Sequence, residues 1–336
     1  MIPLTASTSP PGGPAVVALG GGHGLSASLS ALRLMSERLT AVVTVADDGG
    51  SSGRLRDELH VLPPGDLRMA LTALCDDSQW GRTWSELLQH RFRSEGSLDH
   101  HAMGNLLIVA LWDILGDTVA GLDWVGRLLG ARGRVVPMAA VPLVVEADVR
   151  RRPVMHQDGT GVEAVETVET VVGQSQVALT DGRIEQLRLV PSDPPACPEA
   201  VAAVRDADWV VLGPGSWYSS VLVHLLVPEL AEALHTTSAR RCVTLNLSAE
   251  LGETQGLTAT DHLEALYKHD PGLRIDAVLA DPSAVEDVDS LADAASAMGA
   301  RLVMRQVRRG DGTARHDALR LAAAYRDVFE GVYGDV

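Results

Sequence analysis

The chain has 336 residues and a formal net charge of −16, from 28 lysines and arginines against 44 aspartates and glutamates. That balance argues against nucleic-acid binding through a broadly basic surface, and no apolar run approaches the ~18 residues of a membrane span. With 46% hydrophobic residues the chain can fill a sizeable core, which excludes wholesale disorder.

Residues 1–14, rich in Ser, Thr, Pro and Gly, read as a flexible leader without the basic start and apolar stretch of a signal peptide. A cytoplasmic protein is expected. Cys75, Cys197 and Cys242 are scattered without a CxxC pair, which argues against a disulfide framework or a thiolate zinc site. Lys268 is the only lysine and lies outside any glycine loop, so neither a Walker phosphate loop nor Schiff-base chemistry is expected.

In chain order, residues 15–19 (AVVAL) read as a buried parallel strand, followed by glycines and by apolar residues at helical spacing over 25–34. Residues 39–46 form a second β-branched run, completing a βαβ unit. From 66 to 130 the pattern is mostly helical. Asp66 is placed to cap a helix through Leu74, and residues 105–115 are apolar nearly all round. Residues 134–190 read as a strand-rich elaboration, with Thr180-Asp181-Gly182 as a hairpin turn. Strands are expected at 209–212, 242–247, 277–279 and 302–304, and helices at 283–298 and 316–329. The alternation predicts an α/β fold: a doubly wound, mainly parallel, Rossmann-like sheet in one nucleotide-binding domain over 15–332.

Ligands of such sheets sit where strands end and helices begin. Gly20-Gly21-Gly22-His23-Gly24 stands at the first such place and reads as a phosphate cradle, since glycines leave amide N–H groups clear at a helix N-terminus. Leu25 takes the third glycine's place in the dinucleotide fingerprint, which counts against a dinucleotide oxidoreductase. Asp47 and Asp48 end the second strand, suited to a ribose or to a divalent cation, and Ser51, Ser52, Arg54 and Arg56 follow as phosphate contacts. Asp66 with Arg68, and Asn105 at the start of the apolar helix, are further candidates; His100 and His101, as sequence neighbours, are poorly placed to share one ion. In the second half, Gly213, Gly215, Ser216 and Tyr218 offer another anion cradle before an apolar helix, and Asn246 ends the next strand. No Gly-x-Ser-x-Gly, His-Glu-x-x-His or local Cys/His motif supports a hydrolase. Read from the residues alone, the chain is a binder of a nucleotide or nucleotide-sugar.

The ordered motifs Gly20–Leu25, Val45–Arg56 (VADDGGSSGRLR), Pro63–Arg68 (PPGDLR), Gly104-Asn105, Gly213–Ser216, Gly252–Thr254 and Arg315–Asp317 resemble those of the YvcK-like gluconeogenesis factors, also called UDP-N-acetylglucosamine-binding proteins, within the CofD superfamily. The resemblance implies a CofD-like fold and a regulator joining gluconeogenic growth to cell-wall precursor supply and cell shape. Its ligand would be UDP-N-acetylglucosamine, with Tyr267 and Arg315 as ligand contacts. It also implies a homo-oligomer that meets cell-wall synthesis regulators and needs no cofactor. The alternative within the superfamily is a transferase of a phospholactyl group to a deazaflavin, with Mg2+ at Asp47 or Asp48; the long Ser-Ser-Gly-Arg form favours the regulator. Three departures stand out: His23 for a threonine, Trp217 and Ser219 for leucine and threonine, and Ala318 where relatives can carry a phosphorylated threonine.

Overall fold

A computed structural model of the chain describes residues 12–151, 167–249 and 252–332. Of the expected leader, residues 1–11 lie outside the described residues. The chain begins with β1 (Val16–Gly20), α1 (Gly22–Leu32) and β2 (Leu39–Val43). A helical stretch follows: α2 (Gly50–Leu59), α3 (Pro64–Ala73), α4 (Gln79–Gln89), α5 (Met103–Leu115) and α6 (Thr118–Leu129). Next come β3 (Arg134–Pro137), β4 (Val144–Arg150), β5 (Val168–Val172), α7 (Gln174–Ala178) and β6 (Arg183–Val190). The last part holds α8 (Pro198–Arg205), β7 (Trp209–Leu212), α9 (Pro228–Thr236), β8 (Arg240–Thr244) and α10 (Ala259–His269). It ends with β9 (Ala277–Ala280), α11 (Val288–Ala297), β10 (Arg301–Met304) and α12 (Ala318–Glu330).

Seven of these strands form one parallel sheet in the order β10-β9-β8-β7-β1-β2-β3. The mixed α/β class and parallel sheet are as the sequence predicts. β1 is apolar along its whole length and fully buried, as a strand covered on both faces must be. Its neighbours are β2 (Val16 against Leu39) and β7 (Val16 against Trp209), so the winding direction reverses between β1 and β7. On one face α1 packs against both α3 and α12.

The elaboration is a separate three-stranded antiparallel sheet, β5-β4-β6, with Val145, Ala147 and Val149 of β4 facing inward at every second position. The expected hairpin at Thr180–Gly182 is absent: β5 and β6 both pair with β4, and α7 lies between them. The Gln-Ser-Gln-Val-Ala run, short but free of β-branching until Val177, turns as a helix. No apolar α-helix follows Gly213–Ser216 either. A π-helical turn over Trp217–Val221 and a 3-10 turn over Leu222–Leu226 stand there. The Gly/Ser segment that follows Asp47 and Asp48 opens α2, whose weak formers Gly50, Ser51, Ser52 and Gly53 are held by tertiary contacts.

One buried hydroxyl ties the halves together. Tyr325 of α12, 0% exposed, meets Ser28 Oγ at 2.8 Å and Thr244 Oγ1 at 3.0 Å, while Ser28 Oγ donates to the Gly213 carbonyl at 2.9 Å. Replacing Tyr325 by Phe removes the shared group and should lower unfolding stability by about 1–3 kcal/mol. Urea denaturation should show a lower midpoint at unchanged slope.

Candidate functional site

The reversal between β1 and β7 leaves a crevice beyond their carboxyl ends, the usual ligand position in an open α/β sheet. The loop from β1 to α1 and the loop after β7 form its two sides, and they touch. A Cβ on Gly24 would collide with the Pro214 carbonyl oxygen, so only glycine permits this approach. Asn246 fixes the far side: its Oδ1 accepts from Gly215 N–H at 2.9 Å and its Nδ2 donates to Gly215 O at 2.9 Å. Asn246 lies two residues beyond β8 rather than ending it.

Asp66 does not cap α3, whose N-cap is Pro63. Its carboxylate turns instead into the first glycine loop, where the Gly22 N–H hydrogen-bonds to it, and a Cβ on Gly21 would lie 2.5 Å from Asp66 Oδ2. Asp47 stands beside it, its Oδ2 over Gly65 and its Oδ1 accepting from Gly49 N–H at 3.0 Å. Burial and then the Asp47 charge push the Asp66 carboxyl up to about 7, against the weaker opposing pull of Gly22 N–H and Arg68. His23 is exposed on the first turn of α1.

Beneath the crevice runs a buried polar network. Asn105 donates to Ser51 Oγ at 3.0 Å and to Ser52 Oγ at 3.5 Å, and accepts from Arg68 Nε at 2.8 Å. Arg68, 3% exposed, also binds Gln89 Oε1 and the Leu88 carbonyl, and burial lowers its pKa to about 10. Ser51 Oγ meets His101 Nδ1 at 3.0 Å, whereas His100 is exposed. Four expected ligand contacts, Ser51, Ser52, Asn105 and Arg68, therefore serve one another and set the crevice floor. Arg54 is spent on the carbonyls of Ser97 and Asp99, and Arg56 on that of Leu143.

The second cradle is filled as well. Glu253, 2% exposed, accepts Tyr218 N–H at 3.1 Å and Ser219 N–H at 3.2 Å, closing the turn that Ser216 opens. Burial and the Glu253 charge raise the Tyr218 pKa. Above this, α7 crosses between the two sides. Ser175 donates its N–H and hydroxyl to Asp48 Oδ1 at 2.9 and 2.6 Å. Gln174 Nε2 donates to the Ser219 carbonyl and Ser220 Oγ, and the Ala178 carbonyl accepts from Glu253 N–H. Glu253, Gln174 and Ser175 escaped the sequence reading, although Glu253 lies in a motif that carries the resemblance. With Asp48 held by Ser175, Asp47 and Asp66 are the carboxylates that share the crevice. No group of three or more Asp, Glu, His or Cys gathers as a metal site among the described residues.

Tyr267 and Arg315 lie toward the β8–β10 side. Tyr267 is 49% exposed on α10, without a contact to the glycine loops. Arg315 is exposed, and no ion pair engages it among the described residues. Burial lowers the pKa of its neighbour His316 to about 4, against the opposing pull of Asp281 and the Leu245 backbone, which places the segment next to Asn246.

A family model described as 2-phospho-L-lactate transferase CofD matches residues 16–310. The Bacillus subtilis protein named gluconeogenesis factor is 34% identical over 331 residues, covering 94% of this chain and 98% of its own. This chain belongs to the gluconeogenesis factor branch of the CofD family. A Mycobacterium tuberculosis relative whose name carries the same term is 49% identical over 321 residues, 94% of this chain and 90% of that protein. A crystal structure of a Bacillus halodurans protein superimposes with a TM-score of 0.80 at 34% identity, covering 93% of this chain and 98% of that one.

The raised Asp66 pKa has a signed consequence. The folded state holds this proton up to about pH 7, whereas the unfolded chain releases it near 3.8. Asp66 therefore contributes a loss of stability as pH rises from about 4 to 7, complete above that window. An Asp66→Asn protein should be more stable than the parent at pH 8 and should lose that part of the slope. Thermal unfolding across pH 4–8 measures both.

Proposed function

We propose that this gluconeogenesis factor homologue is a cytoplasmic regulator that binds a UDP-sugar, UDP-N-acetylglucosamine, in the β1–β7 crevice. In this reading it ties cell-wall precursor supply and cell shape to growth on gluconeogenic carbon. The observation that carries a binding role is the commitment of the crevice's polar groups to one another. Ser51, Ser52, Asn105 and Arg68 are bonded among themselves, and Asp48 and Glu253 hold backbone or side-chain donors. A rigid, prebonded floor suits recognition; a nucleophile would need a base aimed at it and space for a reacting atom.

The uracil and diphosphate of such a ligand carry about two negative charges, and the exposed Arg315 supplies a forked cation on the β8 side. Tyr267 offers an exposed ring further along the same side. Binding is proposed to need no metal. The family model's transferase description favours a second reading, transfer of a phospholactyl group to a deazaflavin.

Calorimetry with UDP-N-acetylglucosamine, followed by chromatography of the recovered ligand, tests the first reading; incubation with a phospholactyl donor and a deazaflavin tests the second. Saturable binding with intact ligand after hours is the expected result; steady UDP or sugar release places the protein among enzymes. In the same assay Arg315→Ala should weaken binding about ten- to a hundredfold, the worth of one charge-assisted contact. A dissociation constant within about threefold of the parent removes Arg315 from the site.

A further inference from the structure

Both glycine-loop cradles are occupied by the protein itself. At the first, the α1 N-terminus faces the Asp66 carboxylate, which is seated against Gly21 and drawn on by the Gly22 N–H. At the second, Glu253 takes the N–H groups of Tyr218 and Ser219. A carboxylate at a helix N-terminus satisfies the same amides and the same dipole that a phosphate would. A diphosphate brought to the first loop would meet Asp66 and, beside it, Asp47. Arg68, the guanidinium whose charge acts on Asp66, is buried and committed to Asn105, Gln89 and Leu88.

Ionised carboxylates only accept hydrogen bonds, so what they recruit is a donor. A neutral sugar ring brings donors without charge. The rest of this wall fits such a guest. Ser220 Oγ lies 3.4 Å from the position a Gly21 Cβ would take, and is itself held by Gln174. Thr44, 0% exposed, packs its methyl against the same spot, and its buried hydroxyl has no hydrogen-bond partner. The wall thus places carboxylate acceptors and the Ser220 hydroxyl where a phosphate site would place amides and cations.

We infer that the Gly20–Gly24 loop is a sugar-hydroxyl subsite and not a phosphate cradle, with Asp66, flanked by Asp47, accepting hydroxyls of the ligand's sugar ring. This rests on the nucleotide-sugar reading above and gives that ligand a direction. Its ring lies against the first loop, and its phosphates lie away from it, toward the β8 side. The shared chemistry is a ring diol, which the ribose and the hexose both carry; the choice between them is left to the ligands of the test.

The experiment is calorimetry at pH 8, where Asp66 is ionised, with UDP-N-acetylglucosamine, UDP, the 2′-deoxyribose analogue of UDP-N-acetylglucosamine, and sodium pyrophosphate. The parent should bind the full ligand and lose at least tenfold against one of the two truncated nucleotides. Loss with the deoxyribose analogue assigns the ribose; loss with UDP assigns the hexose. Asp66→Asn, checked by circular dichroism, should weaken the full ligand at least tenfold and leave the truncated one nearly unchanged. Pyrophosphate should bind parent and variant equally weakly. The inference is overturned if Asp66→Asn binds UDP-N-acetylglucosamine or pyrophosphate more tightly than the parent, the behaviour of a cradle freed of a competing anion. It also falls if the parent binds all three nucleotides alike, an arm that needs no variant to fold. A parent that binds none of the nucleotides defeats the nucleotide-sugar reading itself, a separate result.

Discussion

Helix starts that face a parallel sheet's carboxyl edge expose amide N–H groups, and those groups need acceptors. In this protein two acidic side chains supply them, Asp66 at the first loop and Glu253 at the second. Much of the surrounding structure follows. Gly21 must lack a side chain because Asp66 lies where one would go, and Gly65 must lack one because Asp47 and Ser52 do. Glu253 is buried because the turn it closes is buried, and its own backbone is anchored on α7. The cost is a buried Asp66 whose affinity for a proton is raised by burial and by the neighbouring Asp47 charge.

The strands were legible because burial on both faces leaves a short apolar run that few other structures produce. Residues 209–212 are read without error, and 15–19 and 302–304 to within one residue at either end. Helices built on ordinary amphipathic spacing, such as α12, were equally plain. What escaped were elements whose stability is wholly tertiary. α2 starts in Gly-Ser-Ser-Gly, a sequence that favours a loop until Asn105 binds its serines. The turn at Trp217–Val221 looks like an apolar helix until a glutamate 35 residues away takes its first amides. The glycine loops were found by composition, yet no local pattern reveals that carboxylates from other elements fill them. Capping was assigned to Asp66 because a short acid before a helix most often caps it; here the more demanding acceptor need lay across the crevice.

Arginine usage becomes intelligible at the same level. A chain with one lysine among 28 basic residues must use guanidinium groups for tasks that involve no ligand. Arg33 braces the Cys75 carbonyl, Arg56 that of Leu143 and Arg308 that of Leu247. Arg241, 6% exposed, collects the carbonyls of Leu234, Thr237 and Ala239 at the end of α9. A planar fork with five donors suits this stapling of loop carbonyls better than an ammonium would. Abundance of arginine therefore says little about anionic ligands; the informative arginine is one with nothing in the protein to hold.

The small helix α7 has a consequence for synthesis of the chain. It joins Asp48 to Ser175 across 127 positions, and Ser219 to Gln174 across 45, while Ser28 reaches Gly213 across 185. Contacts of such separation are closed late, since each closure must first overcome the entropy of the intervening chain. A nascent polypeptide that has only reached β3 already contains Asp47, Asp48 and Asp66, and lacks Ser175, which holds Asp48, and the whole second side of the crevice. The second turn closes only when Glu253 has left the ribosome, so the two sides of the crevice are joined last, and a chain truncated before that point lacks one of them.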